Sequence, residues 1–95
     1  MTIETVAVIG SGLMGRGIAY AAAVGGFRTI LHDVSAEALA RALAQVRRDL
    51  DEGVARGKVA ADDARAALER LTTDPALKGA VGGADFVIEA VPEDA

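Results

Sequence analysis

The residues best placed to do chemistry are the glycines of a short turn near the amino terminus and one acidic residue beyond it. The turn reads Gly10-Ser11-Gly12-Leu13-Met14-Gly15. It follows an apolar run and opens a helical pattern, so its backbone N–H groups gather at the positive end of a helix dipole, where a pyrophosphate binds well. Asp33 follows at the distance of roughly 20 residues at which a carboxylate meets a ribose with a free 2′-hydroxyl. Together the two features predict a dinucleotide site for NAD.

Each glycine of the turn has a separate predicted role. Gly10 allows a sharp turn at the end of the strand, Gly12 allows the backbone to approach the phosphates, and Gly15 allows the helix to pack closely on the strand. Leu13 and Met14 fill the variable positions, and their amides are predicted to face the ligand. A chain rich in glycine and alanine can also produce this spacing by chance, but the flanking strand and helix patterns favour the dinucleotide interpretation.

Asp33 is predicted to accept hydrogen bonds from both hydroxyls of the adenosine ribose. Its charge would also repel the 2′-phosphate of NADP, so the residue favours NAD. The alternative is that Asp33 caps the helix that begins near Ser35, because Asp and Ser are both good N-cap residues. Ser35 can fill that position alone, and the ribose role is therefore preferred.

Two further polar residues lie near the predicted site. Arg16 opens the first helix, where a cation opposes the dipole, and a solvated side chain is favoured over a contact with phosphate. His32 precedes Asp33 and could touch adenine, but an ordinary structural role at the end of a strand is favoured. Its place on the adenosine side excludes His32 as the catalytic base.

A parallel sheet is needed to position these residues. The apolar runs predict a first strand over Thr5–Ile9, a helix over Leu13–Val24 and a second strand over Thr29–His32. Two further helices, a long one that begins at Ser35 and a second over Asp62–Arg70, form a predicted hairpin between strands two and three.

The rest of the chain predicts a short third strand at Leu71–Thr73 and a fourth over Phe86–Val91, whose apolar run is typical of a strand covered on both faces. Asp74 and Pro75 predict a short helix to about Ala80, with the proline at its first position. The order of elements predicts an α/β fold, a Rossmann-type doubly wound parallel sheet of about four strands in the order 3-2-1-4. Strands one and four are then neighbours, and ligands bind outside the carboxyl ends of such strands.

Composition argues against several other classes of function. The chain has 95 residues and a net charge of −4, with no basic stripe, so nucleic acid is not a predicted partner. Cysteine is absent and histidine occurs once, which leaves no predicted metal site. No apolar stretch reaches membrane-spanning length and the amino terminus enters a strand at once, so a cytoplasmic protein without a signal peptide or membrane contact is expected.

Three segments together resemble a known family. They are Gly10–Ala19, Leu31–Ser35 and Ala84–Asp94, the last of which reads ADFVIEAVPED. The combination resembles the N-terminal NAD-binding domain of the 3-hydroxyacyl-CoA dehydrogenases, including the short-chain 3-hydroxybutyryl-CoA enzymes. The resemblance extends over essentially the whole chain, and the third segment combined with the length of the helical hairpin is its most specific part.

The resemblance implies an enzyme that oxidises the 3-hydroxyl of an acyl-CoA and passes a hydride to NAD. Gly10–Gly15 would then hold the pyrophosphate and Asp33 the adenosine ribose. Ala90 and Val91 would line the cofactor, and Glu93 would lie near its nicotinamide half. The alternative for Glu93 is a solvated loop carboxylate.

The resemblance also implies that the chain is the NAD-binding part of a longer enzyme. In the family a histidine oriented by a glutamate acts as general acid and base, and a separate helical domain shapes the acyl pocket and the dimer. No catalytic residue is expected within residues 1–95, so the fragment alone is expected to be inactive and the full-length protein to be a homodimer that acts on acyl-CoA. Two alternatives stay open, a non-catalytic module that senses NAD or NADH and a related NAD-dependent hydroxyacid dehydrogenase.

Overall fold

Four parallel strands bring the predicted site residues to one edge of a sheet. The computed structural model describes residues 3–90. Within them the strands pair in the order β3-β2-β1-β4, which confirms the predicted order. Their bounds are β1 Thr5–Ile9, β2 Arg28–His32, β3 Leu71–Asp74 and β4 Phe86–Glu89. Because β1 lies between β2 and β4, the glycine turn after β1 is flanked by the residues that follow both neighbours.

Four helices connect these strands within the described residues. Their bounds are α1 Leu13–Val24, α2 Ala36–Ala55, α3 Ala61–Arg70 and α4 Leu77–Gly82. α2 and α3 form the predicted hairpin between β2 and β3. Ser35 starts α2, because its Oγ accepts a hydrogen bond from the N–H of Ala38 at 3.1 Å and so satisfies one of the free donors of the first turn.

Small aliphatic side chains from the sheet and the helices fill one core. Val8 of β1 and Leu31 of β2 are fully buried, and they share a cluster with Ala19 of α1 and with Val46 and Leu50 of α2. The alanine allows α1 to lie close to the strands, since it adds little bulk between them. Burying each Val or Leu contributes about 1.5–3 kcal/mol. The burial of Leu31 therefore holds the end of β2 in place, two residues before Asp33.

The fourth helix begins later than the sequence predicted. Pro75 was expected at the first helical position and Ala80 near the end, whereas α4 begins at Leu77. The reason is that β3 extends through Asp74, whose Oδ1 then accepts a hydrogen bond from the N–H of Ala76 at 2.9 Å. This side-chain turn places Pro75 between the strand and the helix.

The fourth strand is shorter and more exposed than predicted. The prediction ran to Val91, which lies outside the described residues, but β4 ends before Ala90. The N–H of Ala90 still donates to the carbonyl oxygen of Ile9 at 2.8 Å, so the residue that follows β4 is hydrogen-bonded to β1. Phe86 and Val87 are 50% and 44% exposed, although parallel strands are usually covered on both faces. In the described part of the chain β4 is an edge strand, which accounts for this exposure.

Candidate functional site

A pocket of about 550 Å³ opens at the carboxyl ends of β1 and β2. This volume lies within the range of about 300–1,000 Å³ that is usual for small-molecule sites. Four of the predicted site residues line the pocket, namely Gly10, Ser11, Gly12 and Asp33. The sheet thus brings together the two features that the sequence singled out, the glycine turn and the carboxylate beyond it.

The glycines of the turn have the geometry that their predicted roles require. Gly10 has a φ of 104°, a left-handed conformation that side chains with a Cβ rarely adopt. A Cβ on Gly15 would lie 1.7 Å from the carbonyl oxygen of Gly10, so α1 can pack on the turn because Gly15 has none. No atom of the described residues comes within 4 Å of the corresponding position on Gly12, which leaves that side of the turn open to a ligand.

Backbone N–H groups at the start of α1 are available to an anion. Leu13, Met14 and Gly15 form the first turn, where N–H groups have no intrahelical acceptor. Leu13 and Met14 are 78% and 68% exposed and are not part of the pocket wall, and the contact predicted for their amides stays a prediction. The N–H of Ser11 differs, because it donates to Oδ2 of Asp33 at 3.1 Å and is therefore used within the protein.

The carboxylate of Asp33 is held by three donors. The N–H and the hydroxyl of Ser11 donate to Oδ2 at 3.1 and 2.8 Å, and the N–H of Ser35 donates to Oδ1 at 3.1 Å. Hydrogen bonds to a carboxylate favour its charged form. The N–H of Ser35, followed by the hydroxyl of Ser11, holds the pKa of Asp33 below its ordinary value. The carboxylate is therefore ionised at neutral pH.

The structure excludes Asp33 as the cap of α2, and its ribose role stays a prediction. The cap of α2 is Ser35, whose hydroxyl binds the N–H of Ala38 inside the first turn. Asp33 binds the N–H of Ser35, which lies before the helix. The Asp33 side chain therefore ties the glycine turn to the segment that leads into α2, and it lies on the pocket wall as the ribose role requires.

Ala90 reaches the glycine turn from the other side of β1. Its Cβ lies 3.5 Å from the position that a Cβ on Gly15 would occupy, and the residue is buried. Ala90 therefore packs behind the turn and does not form part of the pocket wall described above. Its predicted contact with the cofactor stays a prediction. Val91 and Glu93, the other two residues predicted at the end of β4, lie outside the described residues.

Two arginines complete the pocket, and neither was among the predicted site residues. Arg16 is half-buried on the pocket wall, where a solvated side chain had been favoured. Arg41 of α2 also lines the pocket, and this residue is exposed. The available signal was its position in the second turn of the helix that follows Asp33. Two cations beside one carboxylate suit a ligand that carries both negative charge and neutral hydroxyls.

His32 has the structural role that the sequence favoured. It is 4% exposed, and its Nδ1 donates to the carbonyl oxygen of Asp74 at 2.9 Å. Because a carbonyl oxygen can only accept, Nδ1 carries a hydrogen in this contact. The residue thereby joins the ends of β2 and β3, and it also contributes to the pocket wall next to Asp33.

Residues 3–90 lack the features of two other kinds of site. No three side chains of His, Cys, Asp or Glu gather there in a way that would hold a metal ion. In the same part of the chain, no helix combines the length and the apolar character needed to cross a bilayer. The pocket at the ends of β1 and β2 is accordingly the candidate that the described residues support best.

A Rossmann-type dinucleotide-binding domain is the class of protein that this arrangement defines, since a glycine turn and a carboxylate meet at the carboxyl ends of adjacent parallel strands. The chain belongs to the family described as 3-hydroxyacyl-CoA dehydrogenase, NAD binding domain, which matches residues 5–95. This match confirms both the resemblance and the NAD cofactor that the sequence predicted.

Several relatives support the assignment. The 3-hydroxyadipyl-CoA dehydrogenase of Escherichia coli K12 is 45% identical over 93 residues, which are 98% of this chain and 19% of that protein. The 3-hydroxybutyryl-CoA dehydrogenase of Bradyrhizobium diazoefficiens is 37% identical over 91 residues, or 96% of this chain and 31% of that protein. A crystal structure of 3-hydroxybutyryl-CoA dehydrogenase from Escherichia coli K12 has a TM-score of 0.93 and 44% identity, and the match covers 99% of this chain and 20% of that one. The likeness confirms the predicted fold class, and the chain spans a third or less of these relatives.

Proposed function

We propose that the protein carrying this chain is an NAD-dependent 3-hydroxyacyl-CoA dehydrogenase that oxidises the 3-hydroxyl of a 3-hydroxyacyl-CoA to the 3-oxo thioester. Membership of the family supports a CoA thioester as the substrate, and relatives carry the names 3-hydroxyadipyl-CoA and 3-hydroxybutyryl-CoA dehydrogenase. The single structural observation that carries the proposal is the position of the Asp33 carboxylate, which three donors hold at the pocket wall beside the glycine turn.

The residues of the pocket fit NAD. The open side of Gly12 and the N–H groups of the first turn of α1 suit a pyrophosphate, and Arg16 adds positive charge on the same wall. Asp33 suits a ribose with two neutral hydroxyls and would repel a 2′-phosphate. Membership of the family supports the further proposal that Ala90 and Val91 line the cofactor and that Glu93 contributes near its nicotinamide half. A bound NAD supplies the hydride acceptor.

Oxidation of the hydroxyl also requires a base that takes its proton. His32 is the one histidine of the sequence, but its Nδ1 hydrogen is held by the carbonyl oxygen of Asp74 at the ends of β2 and β3. That position lies beside Asp33, on the adenosine side of the pocket, away from the place where a hydride would be transferred. We therefore assign the base to a residue outside this chain. The homodimer and the cytoplasmic location stay predictions.

The test uses the protein expressed from its complete reading frame. Incubation with NAD and either 3-hydroxybutyryl-CoA or 3-hydroxyadipyl-CoA is expected to produce NADH, followed by its absorbance. Butyryl-CoA is the matched control, since it is the same thioester without the hydroxyl, and no NADH is expected from it. With NADP the rate should be lower by about tenfold or more, which corresponds to about 1.4 kcal/mol.

Two other outcomes would each contradict a different part of the proposal. Calorimetric binding of NAD without oxidation of either thioester would favour the non-catalytic module that binds NAD or NADH as a sensor. A protein that binds neither NAD nor NADH would contradict the site itself.

A further inference from the structure

The hydrogen bonds at Asp33 leave too few acceptor positions for the ribose contact that the sequence predicted. A carboxylate has two oxygens with about two acceptor positions each. Oδ2 already accepts the N–H and the hydroxyl of Ser11, and Oδ1 accepts the N–H of Ser35. Among the described residues this leaves one position, on Oδ1. Two ribose hydroxyls that both donate to Asp33 would need a second one.

The hydroxyl of Ser11 provides the missing acceptor. A serine hydroxyl has one hydrogen to donate and two lone pairs that accept. The hydrogen of Ser11 is directed to Oδ2 of Asp33 at 2.8 Å, which fixes the orientation of the hydroxyl and leaves its lone pairs free of the carboxylate. Ser11 is 7% exposed and lines the pocket, so a ligand in the pocket can reach the small part of its surface that remains open.

We propose that the hydroxyl of Ser11 receives one hydroxyl of the adenosine ribose, while Oδ1 of Asp33 receives the other. The inference rests on the proposed NAD site and specifies how that site recognises the sugar. One ribose hydroxyl donates to Ser11 Oγ, which in turn donates to Oδ2. Each of these two hydrogen bonds strengthens the other, because the chain ends on a charged acceptor. Ser11 and Asp33 thus each recognise one hydroxyl of the adenosine ribose.

The opposite arrangement predicts an effect of opposite sign. If both ribose hydroxyls bound Asp33 directly, one of them would have to displace the Ser11 hydroxyl from Oδ2. The ligand would then have to break the 2.8 Å hydrogen bond before it could bind. Removing the hydroxyl with Ser11→Ala would relieve this competition and tighten the binding of NAD. Under our proposal the same substitution removes a contact and weakens binding.

The experiment is calorimetry on the protein expressed from its complete reading frame. The ligands are NAD and two analogues that lack either the 2′- or the 3′-hydroxyl of the adenosine ribose. Ser11→Ala is expected to weaken the binding of NAD about five- to tenfold, which corresponds to the loss of one hydrogen bond. The substitution should not change the affinity for one of the two analogues, because that analogue lacks the ribose hydroxyl that donates to Ser11.

Thr29→Val is the matched control variant. Thr29 is fully buried in β2, and its hydroxyl donates to the carbonyl oxygen of Phe27 at 2.9 Å, near the end of the strand farther from the pocket. The substitution removes one hydroxyl hydrogen bond and keeps the shape of the side chain. The affinity for NAD should equal that of the unsubstituted protein.

The outcomes separate this inference from the function on which it rests. Unchanged or tighter binding of NAD by Ser11→Ala would overturn the inference, as would an equal loss of affinity for both analogues, and either result leaves the NAD site intact. Failure of the unsubstituted protein to bind NAD would instead overturn the proposed function. If Ser11→Ala does not fold, the two analogues still test the inference on the unsubstituted protein, because the proposal requires that loss of either ribose hydroxyl weakens binding. A loss with one analogue alone would contradict the proposal.

Discussion

Asp33 and Asp85 hold backbone N–H groups at opposite edges of the same sheet. Oδ2 of Asp85 accepts the N–H groups of Glu4 and Thr5 at 2.9 and 3.0 Å, where β1 begins. Asp33 accepts the N–H and the hydroxyl of Ser11 just beyond the end of β1. In both residues a backbone N–H is the largest cause that holds the pKa below its ordinary value. Asp33 also lines a pocket, whereas Asp85 is exposed at the amino end of β4.

The direction of the parallel strands explains the difference between these two carboxylates. At its carboxyl end β1 leads into α1, whose first N–H groups lack intrahelical acceptors, so this edge attracts anions and hydroxyl-rich ligands. At the amino ends the N–H groups of β1 are taken up by Asp85 itself. A carboxylate that accepts backbone N–H groups therefore stabilises the contact between β1 and β4 at the amino edge, and it forms part of a candidate binding site at the carboxyl edge.

Gly15→Ala is expected to have the largest effect, because it breaks the carboxyl edge at its tightest contact. The new Cβ would lie 1.7 Å from a backbone oxygen of Gly10, which cannot move as a side chain would. We expect a loss of about 3 kcal/mol or more in the free energy of unfolding, together with loss of NAD binding. Urea denaturation and calorimetry measure the two effects.

Gly17→Ala is the matched control for Gly15→Ala on the same helix. The position of its Cβ has no described atom within 4 Å, and alanine favours a helix over glycine by about 1 kcal/mol. Unfolding should therefore become slightly less favourable, with NAD binding retained. If Gly15→Ala behaved like Gly17→Ala, close packing of α1 on the turn would not be a requirement of the site.

Asp33→Asn tests whether charge at the carboxyl edge selects the cofactor. The amide keeps one oxygen acceptor but loses the charge that attracts ribose hydroxyls and repels a 2′-phosphate. We expect NAD to bind about tenfold more weakly and the preference for NAD over NADP to decrease. Dissociation constants for both cofactors measure the effect. An unchanged ratio between the two constants would show that Asp33 does not select the cofactor.

Asp85→Asn applies the same chemical change at the amino edge. It weakens the acceptor for the N–H groups of Glu4 and Thr5 on an exposed surface. The melting temperature should fall modestly, and the dissociation constant for NAD should not change. A loss of NAD affinity comparable to that of Asp33→Asn would mean that the two edges are coupled and that the comparison between them fails.

The pH dependence of stability should be the smallest effect. Both carboxylates have a folded-state pKa below the ordinary value of 3.8, so the unfolded chain binds protons more readily. Their stabilisation is complete above that ordinary value and is lost as the pH falls through the lowered folded-state pKa. In urea denaturation between about pH 6 and pH 3, the difference between the unsubstituted protein and Asp85→Asn should shrink with decreasing pH. A difference that grows instead would contradict the assigned direction.

The bounds of an element were predicted correctly where a local sequence pattern specifies them. They were predicted wrongly where they depend on pairing between distant segments. The bounds of β1 and α1 were predicted correctly. An apolar run that ends at the glycine turn marks β1, and α1 lies between that turn and the pair Gly25-Gly26. The start of α4 was predicted wrongly, because Asp74 pairs with His32 of β2 and so belongs to β3. Whether a strand includes that residue depends on its neighbour in the sheet.

The sequence by itself determined the class of ligand. Gly10 and Gly15 are required by the backbone of their own turn, and the spacing to Asp33 follows from one strand–helix–strand unit. The two donors that Ser11 supplies to the Asp33 carboxylate were decided by the tertiary structure alone. Ser11 lies 22 positions away and reaches Asp33 because β1 pairs with β2 in the register that sets Ile9 opposite His32. Hydrogen bonds between strand ends depend on that register and on the sheet that fixes it, and neither is encoded in the residues next to Asp33.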